Sequence, residues 1–94
     1  MKTTDSPWFI YLIRTKLNTL YCGITNNIDR RFLAHQQGKG AKYLKGKGPL
    51  QLVWSYEVEN KSLALKYEYR IKKLTKTSKE ALVSDQRALP SIND

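Results

Sequence analysis

The segment from Trp8 to His35 constrains the fold more than any other part of the chain. It opens with an apolar run, Trp8-Phe9-Ile10-Tyr11-Leu12-Ile13, that reads as a strand. Both of its faces are apolar, with Trp8, Ile10 and Leu12 on one and Phe9, Tyr11 and Ile13 on the other. A strand covered on both sides belongs in the middle of its sheet. Arg14 to Thr19 breaks the run, and Leu20-Tyr21-Cys22-Gly23-Ile24-Thr25 follows at hairpin distance as a second strand. Gly23 is costly inside a strand unless something must approach the backbone there. Asn26 or Asn27 can then cap a helix, Asp29 suits its first turn, and Ile28, Phe32 and His35 follow helical spacing with Leu33 beside them. The helix should stop near Gly38.

The rest of the chain supplies one more strand and two more helices. Gly38 to Pro49 is rich in glycine and lysine and is expected to be a mobile basic loop. Leu50 to Val58 alternates, with Leu50, Leu52, Trp54, Tyr56 and Val58 on the buried face of a strand. Asn60 or Ser62 can cap a helix from about Leu63 to Leu74, with an apolar stripe of Leu63, Ala64, Tyr67, Ile71 and Leu74. Glu68 falls at the edge of that stripe. Thr77-Ser78-Lys79-Glu80 has the pattern of a capping box for a short last helix ending near Gln86. The order β-β-α-β-α-α, without internal repeat, predicts an α+β domain: a small three-stranded antiparallel sheet flanked by helices. Residues 1–7 are expected to be a flexible lead, 8–86 the single domain and 87–94 a polar tail.

Ninety-four residues leave room for one small domain, and ten aromatics with a 40% hydrophobic fraction suffice for its core. Seventeen Lys and Arg against eight Asp and Glu give a net charge of +9, which points to a polyanionic partner. A basic protein without such a partner is the plainer reading. From Arg30 to Tyr56 there is no acidic residue, while Arg30, Arg31, Lys39, Lys42, Lys45 and Lys47 lie in that span. One cysteine cannot form an internal disulfide, and with one histidine it cannot build an ordinary structural zinc site. Cys22 is read as a small apolar packing residue. The opening Met-Lys-Thr-Thr-Asp-Ser-Pro has no apolar signal region, and no run approaches membrane-spanning length, so a cytoplasmic protein with no membrane partner is expected.

Arg31 and His35 are four apart and share a helical face. An arginine fork suits the charge that builds on phosphorus during phosphodiester cleavage, a phenol can serve beside a metal ion, and Glu68 is a hard-oxygen donor of the kind Mg²⁺ takes. Each feature alone has a duller explanation: packing tyrosines, a solvated arginine, a surface ion pair. Gly40 to Lys47 has some likeness to a phosphate-binding loop. However, five residues separate Gly40 from Gly46, and Gly48 stands where Ser or Thr is required, which excludes nucleotide hydrolysis on that motif. The loop is read as a flexible arm meeting nucleic-acid backbone through Lys39, Lys42, Lys45 and Lys47 together with Arg30, with a merely solvated loop as the alternative. Tyr43 within it can either stack on a base or pack peripherally.

The joint spacing Phe9-Ile10-Tyr11, Tyr21-Cys22-Gly23, Arg31, His35 and a later helix bearing Glu68 resembles the GIY-YIG endonuclease domain. The glycine-lysine segments Gly38 to Tyr43 and Gly46 to Pro49 resemble its small standalone bacterial, YhbQ-like type. The resemblance spans roughly residues 8 to 76. It implies a nuclease hydrolysing phosphodiester bonds of DNA in preference to RNA, in branched, nicked or single-stranded form, with a place in DNA repair or recombination. It further implies Tyr11 and Tyr21 as catalytic phenols, Arg31 on the scissile phosphate, His35 as an auxiliary site residue, and Glu68 holding one Mg²⁺ or Mn²⁺. Phe9 replaces the first motif's glycine and Ile24 stands where some members have lysine. A non-catalytic nucleic-acid-binding module of the same fold is the alternative. A third reading is a subunit whose protein partner supplies specificity.

Overall fold

The structure is a computed structural model that describes residues 7–85. Apart from Pro7, the expected lead and tail, and the expected helix end at Gln86, lie outside those residues. Strands β1 (Trp8–Arg14), β2 (Leu20–Thr25) and β3 (Gln51–Val58) alternate with helices α1 (Ile28–Gln36), α2 (Lys61–Lys72) and α3 (Lys76–Asp85) in the order β1-β2-α1-β3-α2-α3. The sheet is antiparallel with spatial order β2-β1-β3, so the strand with two apolar faces is central.

Two cores follow from those two faces. Ile10 and Leu12 join Cys22, Trp54, Val58, Ala64, Ile71 and Leu82 under α2 and α3. Tyr11 and Ile13 join Leu44 and Leu50 on the other side, with Ile28 and Phe32 of α1 packed against them. Asn27 caps α1 by accepting from the Arg30 amide, and Asn60 caps α2 by accepting from the Leu63 amide. Leu33 is 52% exposed, so it lies off the buried stripe of α1. No helix among the described residues is long and apolar enough to cross a membrane.

Two expectations change. The alternation in β3 does not give one buried face. Leu12 pairs with Trp54 but Ile13 pairs with Leu52, so Val53 is an extra residue in a β-bulge. The bulge shifts the phase: Trp54 and Val58 stay on the α2 side, Leu50 passes to the Tyr11 side, and Leu52 is 37% exposed. The last helix is capped by Thr75, whose hydroxyl accepts from the Ser78 amide, and not by Thr77. Glu80 is engaged elsewhere.

Arg14, at the end of β1, donates two hydrogen bonds of 2.7 Å to the Glu80 carboxylate, and Lys76 sits 3.1 Å from it. The Arg14 hydrogen bonds hold the Glu80 carboxyl at about 2, below its ordinary 4.5. Below the ordinary value the unfolded chain takes up a proton that the folded chain refuses. The stability contributed by this pair is therefore complete above about 4.5 and lost as pH falls toward 2. Arg14→Met should cost on the order of 1 kcal/mol at neutral pH, because both side chains are partly exposed. The deficit, read by urea denaturation, should shrink near pH 2. An equal deficit at both pH values would assign it to lost packing of the arginine stem.

Candidate active site

Tyr11 on β1 faces Gly23 on β2 across the sheet. The glycine is required by proximity: a Cβ there would lie 2.5 Å from the Tyr11 hydroxyl oxygen and 2.7 Å from Cζ. The phenol therefore lies across the bare backbone of the second motif and points toward α1. There its oxygen is 2.8 Å from His35 Nε2. Tyr11 and His35 are each 2% exposed. Burial pushes the Tyr11 phenol up to about 12, and a hydrogen bond from Arg31 pulls it part of the way back. Burial first, and the Arg31 charge second, lower the pKa of His35.

Tyr21 completes the ring cluster. Its centroid is 6.4 Å from that of Tyr11 and 5.8 Å from that of His35, edge-on to the imidazole. On its outer side Tyr43 stacks at 5.9 Å and 17°. The glycine-lysine segment is thus anchored: Lys42–Leu44 form a short 3-10 turn, Leu44 is buried beside Tyr11, and the Tyr43 hydroxyl donates to Thr19. The Lys47 ammonium lies 3.9 Å from the Tyr43 ring centroid and donates to the Tyr43 carbonyl. Tyr21 and Lys47 both lie against the Tyr43 ring, which is 46% exposed. Arg30, Lys39, Lys42 and Lys45 remain exposed to solvent.

Glu68 lies on a different element, α2. The helix that carries it packs with Ala64 and Ile71 on the Cys22 face, behind the tyrosines. Its carboxylate lies near enough to Cys22 to raise the thiol, and Lys72 pairs with it at 3.3 Å. Tyr11, Tyr21 and His35 thus form one ring cluster with Arg31 acting on the Tyr11 phenol, while Glu68 is carried by the helix that packs on the Cys22 face.

Gly23→Ala tests the close approach. The new methyl must displace the phenol, and a misplacement of about 1 Å at a reacting group can cost about 10²-fold in rate. The variant should lose the Tyr11–His35 hydrogen bond, visible as a changed imidazole resonance of the single histidine. An unchanged resonance would show that the strands can spread to admit the methyl.

Comparison with protein families matches residues 7–81 to the GIY-YIG catalytic domain. The chain belongs to the GIY-YIG family. It is similar to a UPF0213 protein of Vibrio campbellii, 59% identical over 93% of this chain and 84% of that one. It is likewise similar to the UPF0213 protein YhbQ of Escherichia coli, 59% identical over 85% of this chain and 80% of that one. Among solved structures it resembles the solution NMR structure of a UPF0213 protein from Bacillus halodurans, with 40% identity, a TM-score of 0.55 and 83% of each chain covered. The GIY-YIG domain is typical of endonucleases and implies contact with nucleic acid.

Within that GIY-YIG frame, sequence reasoning missed Gly40 and Ala41. The Ala41 amide donates to His35 Nδ1 at 3.1 Å, and a Cβ on Gly40 would lie 2.1 Å from the same atom. The available signal was a second glycine five residues past the histidine, two residues after the helix stop at Gly38, whose φ is +76°.

Proposed function

We propose that this protein is a metal-dependent nuclease that hydrolyses phosphodiester bonds of DNA, in branched, nicked or single-stranded form, and that serves DNA repair or recombination in the cytoplasm. The observation that carries the reading is the buried Tyr11–His35 hydrogen bond with Arg31 acting on the same phenol. Packing alone does not explain a hydroxyl, an imidazole and a guanidinium converging beside a glycine-bared strand. Arg31 holds the scissile phosphate and neutralises charge as it builds on the non-bridging oxygens. Tyr11 presents its hydroxyl to the reacting oxygens, His35 orients it, and Tyr21 forms the open wall of the site. Arg30, Lys39, Lys42 and Lys45 attract the flanking backbone.

GIY-YIG nucleases use a divalent cation. Among the described residues no group of three or more His, Cys, Asp or Glu could cage one. Glu68 offers one carboxylate, which fits Mg²⁺ or Mn²⁺ in kind, because such ions keep several waters and take substrate phosphate oxygens as further ligands. Glu68 would hold it once Lys72 lets go, and the ion would supply Lewis-acid stabilisation of the phosphate.

The pairing of Glu68 with Lys72 also favours a second reading, a nucleic-acid-binding module that no longer cuts. A cleavage assay decides between them. Plasmid, single-stranded and branched DNA are incubated with Mg²⁺ or Mn²⁺, with a chelator control and a matched RNA. Metal-dependent cutting of DNA supports the nuclease. Tight binding without cutting of any form supports the module, and a protein that neither binds nor cuts would refute both. Cutting that survives Glu68→Gln would place the metal on other groups.

A further inference from the structure

The Gly40–Ala41 peptide touches His35, one of the two buried titratable groups of the site, and its chemistry leaves a single assignment of protons. A backbone amide can only donate. The Ala41 N–H reaches His35 Nδ1 at 3.1 Å, so Nδ1 must offer a lone pair. A neutral imidazole with a bare Nδ1 carries its proton on Nε2. Nε2 is 2.8 Å from the Tyr11 hydroxyl, so the imidazole donates there and the phenol accepts. The reverse order, with Tyr11 donating to a bare Nε2, would set an Nδ1–H against the Ala41 N–H. A doubly protonated ring meets the same conflict.

We propose that the Gly40–Ala41 peptide is a positioning element of this site, which locks His35 in the Nε2-protonated tautomer so that the imidazole donates to Tyr11 and the phenol's own proton points away from it. His35 then has no lone pair left with which to take that proton. Its role is to hold the Tyr11 oxygen and to stabilise negative charge on it. The phenol proton must leave toward the Arg31 side, to water or to a substrate oxygen. Burial of the imidazole and the Arg31 charge act in the same direction, because both disfavour a cationic ring.

Gly40 is what allows the peptide to come so close. Any side chain at this position would occupy the space of the imidazole, since its Cβ would fall 2.1 Å from Nδ1 and 2.8 Å from Cε1. Ala41 is held in turn by the short 3-10 turn that follows, where Leu44 donates its amide to the Ala41 carbonyl and buries its side chain in the tyrosine-side core. A cavity of about 370 Å³ is bordered by His35, Leu44 and Leu50. The lysines on either side of this peptide, Lys39 and Lys42, are exposed cations, so the segment that sets the tautomer also faces the expected substrate.

The test uses the full-length protein and its single histidine, which makes nitrogen NMR of the imidazole unambiguous. With the ring neutral, the expected spectrum has a pyridine-type Nδ1 and a protonated Nε2, with a scalar coupling through the hydrogen bond between the Ala41 amide and Nδ1. A protonated Nδ1 overturns the proposal, whatever the enzyme does. Gly40→Ala should retain a dispersed amide spectrum but show mixed tautomers. A folded Gly40→Ala protein with the original tautomer would also overturn it, and if that variant fails to fold, the wild-type coupling still decides. The activity arm rests on the nuclease reading. His35→Gln places an amide donor where Nε2–H stood but cannot take a proton, so it should cut about ten-fold faster or more than His35→Ala, the worth of one hydrogen bond to a developing charge. Equal loss in both variants would make His35 the proton acceptor and refute the assignment. A wild type that cuts nothing removes the nuclease reading and leaves the NMR result standing.

Discussion

Tyr11→Phe is expected to lose both rate and stability, in a ratio that identifies the job of the hydroxyl. The substitution keeps the ring against Ile13 and Leu44 and removes one oxygen. Loss of a group that exchanges protons or holds a developing charge typically costs about 10²- to 10⁴-fold in rate. The same oxygen is the partner of an imidazole nitrogen that is 2% exposed. A buried donor left without an acceptor costs about 1–3 kcal/mol, which for a domain of this size lowers the melting temperature by several degrees. Tyr21→Phe is the control. Its ring is held by Tyr43 and His35, and phenylalanine keeps those contacts, so its melting temperature should stay near wild type while its rate reports the hydroxyl alone. Initial rates with urea denaturation of both variants give the comparison. A Tyr11→Phe protein that melts lower but cuts at full rate would make the hydroxyl a packing device.

Arg31→Ala is expected to show the opposite pattern, a large loss of rate with no loss of fold. Arg31 is exposed on α1 and its contact with the site is the Tyr11 phenol, so the stability cost should stay near the worth of one hydrogen bond, about 1 kcal/mol. Removing one preorganised donor from a phosphate in its transition state costs about 10²-fold or more. Arg31→Lys should recover little, because a point charge does not replace a planar fork. The same variant has an internal check. The Arg31 charge is the second cause that lowers the pKa of His35, so without it the imidazole should titrate at higher pH. Since burial is the first cause, the value should remain below the ordinary one. An imidazole titration unmoved by Arg31→Ala would mean that the guanidinium points away from the site in solution.

The sequence made the frame legible where local chemistry decides. The two apolar faces of β1 required a central strand, and Asn27 and Asn60 cap where short polar side chains before periodic segments should. Gly23 announced a close approach without saying what approaches. The losses came where partners distant in sequence decide. The bulge at Val53 is set by pairing with β1, and no alternation pattern within β3 contains it. Thr75 and Thr77 both precede helical residues. Glu80 favoured Thr77 until Arg14, 66 residues earlier, is seen to claim the carboxylate. Helical spacing placed Glu68 at the edge of a stripe correctly, but it does not say which face of the sheet the helix covers. The glycine-lysine segment read as loose because its composition is that of a loop. Leu44 and Tyr43 anchor it through contacts made only in the folded state.

Cys22 sits on the strand that carries Tyr21, with its side chain turned the other way, 3% exposed in the core beneath α2. Burial, with Glu68 nearby, pushes its thiol up to about 12. Only the thiolate reacts with an alkylating reagent, so the folded chain is nearly inert and the unfolded chain is labelled readily. Because the chain has a single cysteine, the labelling rate is a clock for opening of the sheet behind the site. Every active-site variant can be ranked for structural integrity by that one reaction, at micromolar concentration and without denaturant.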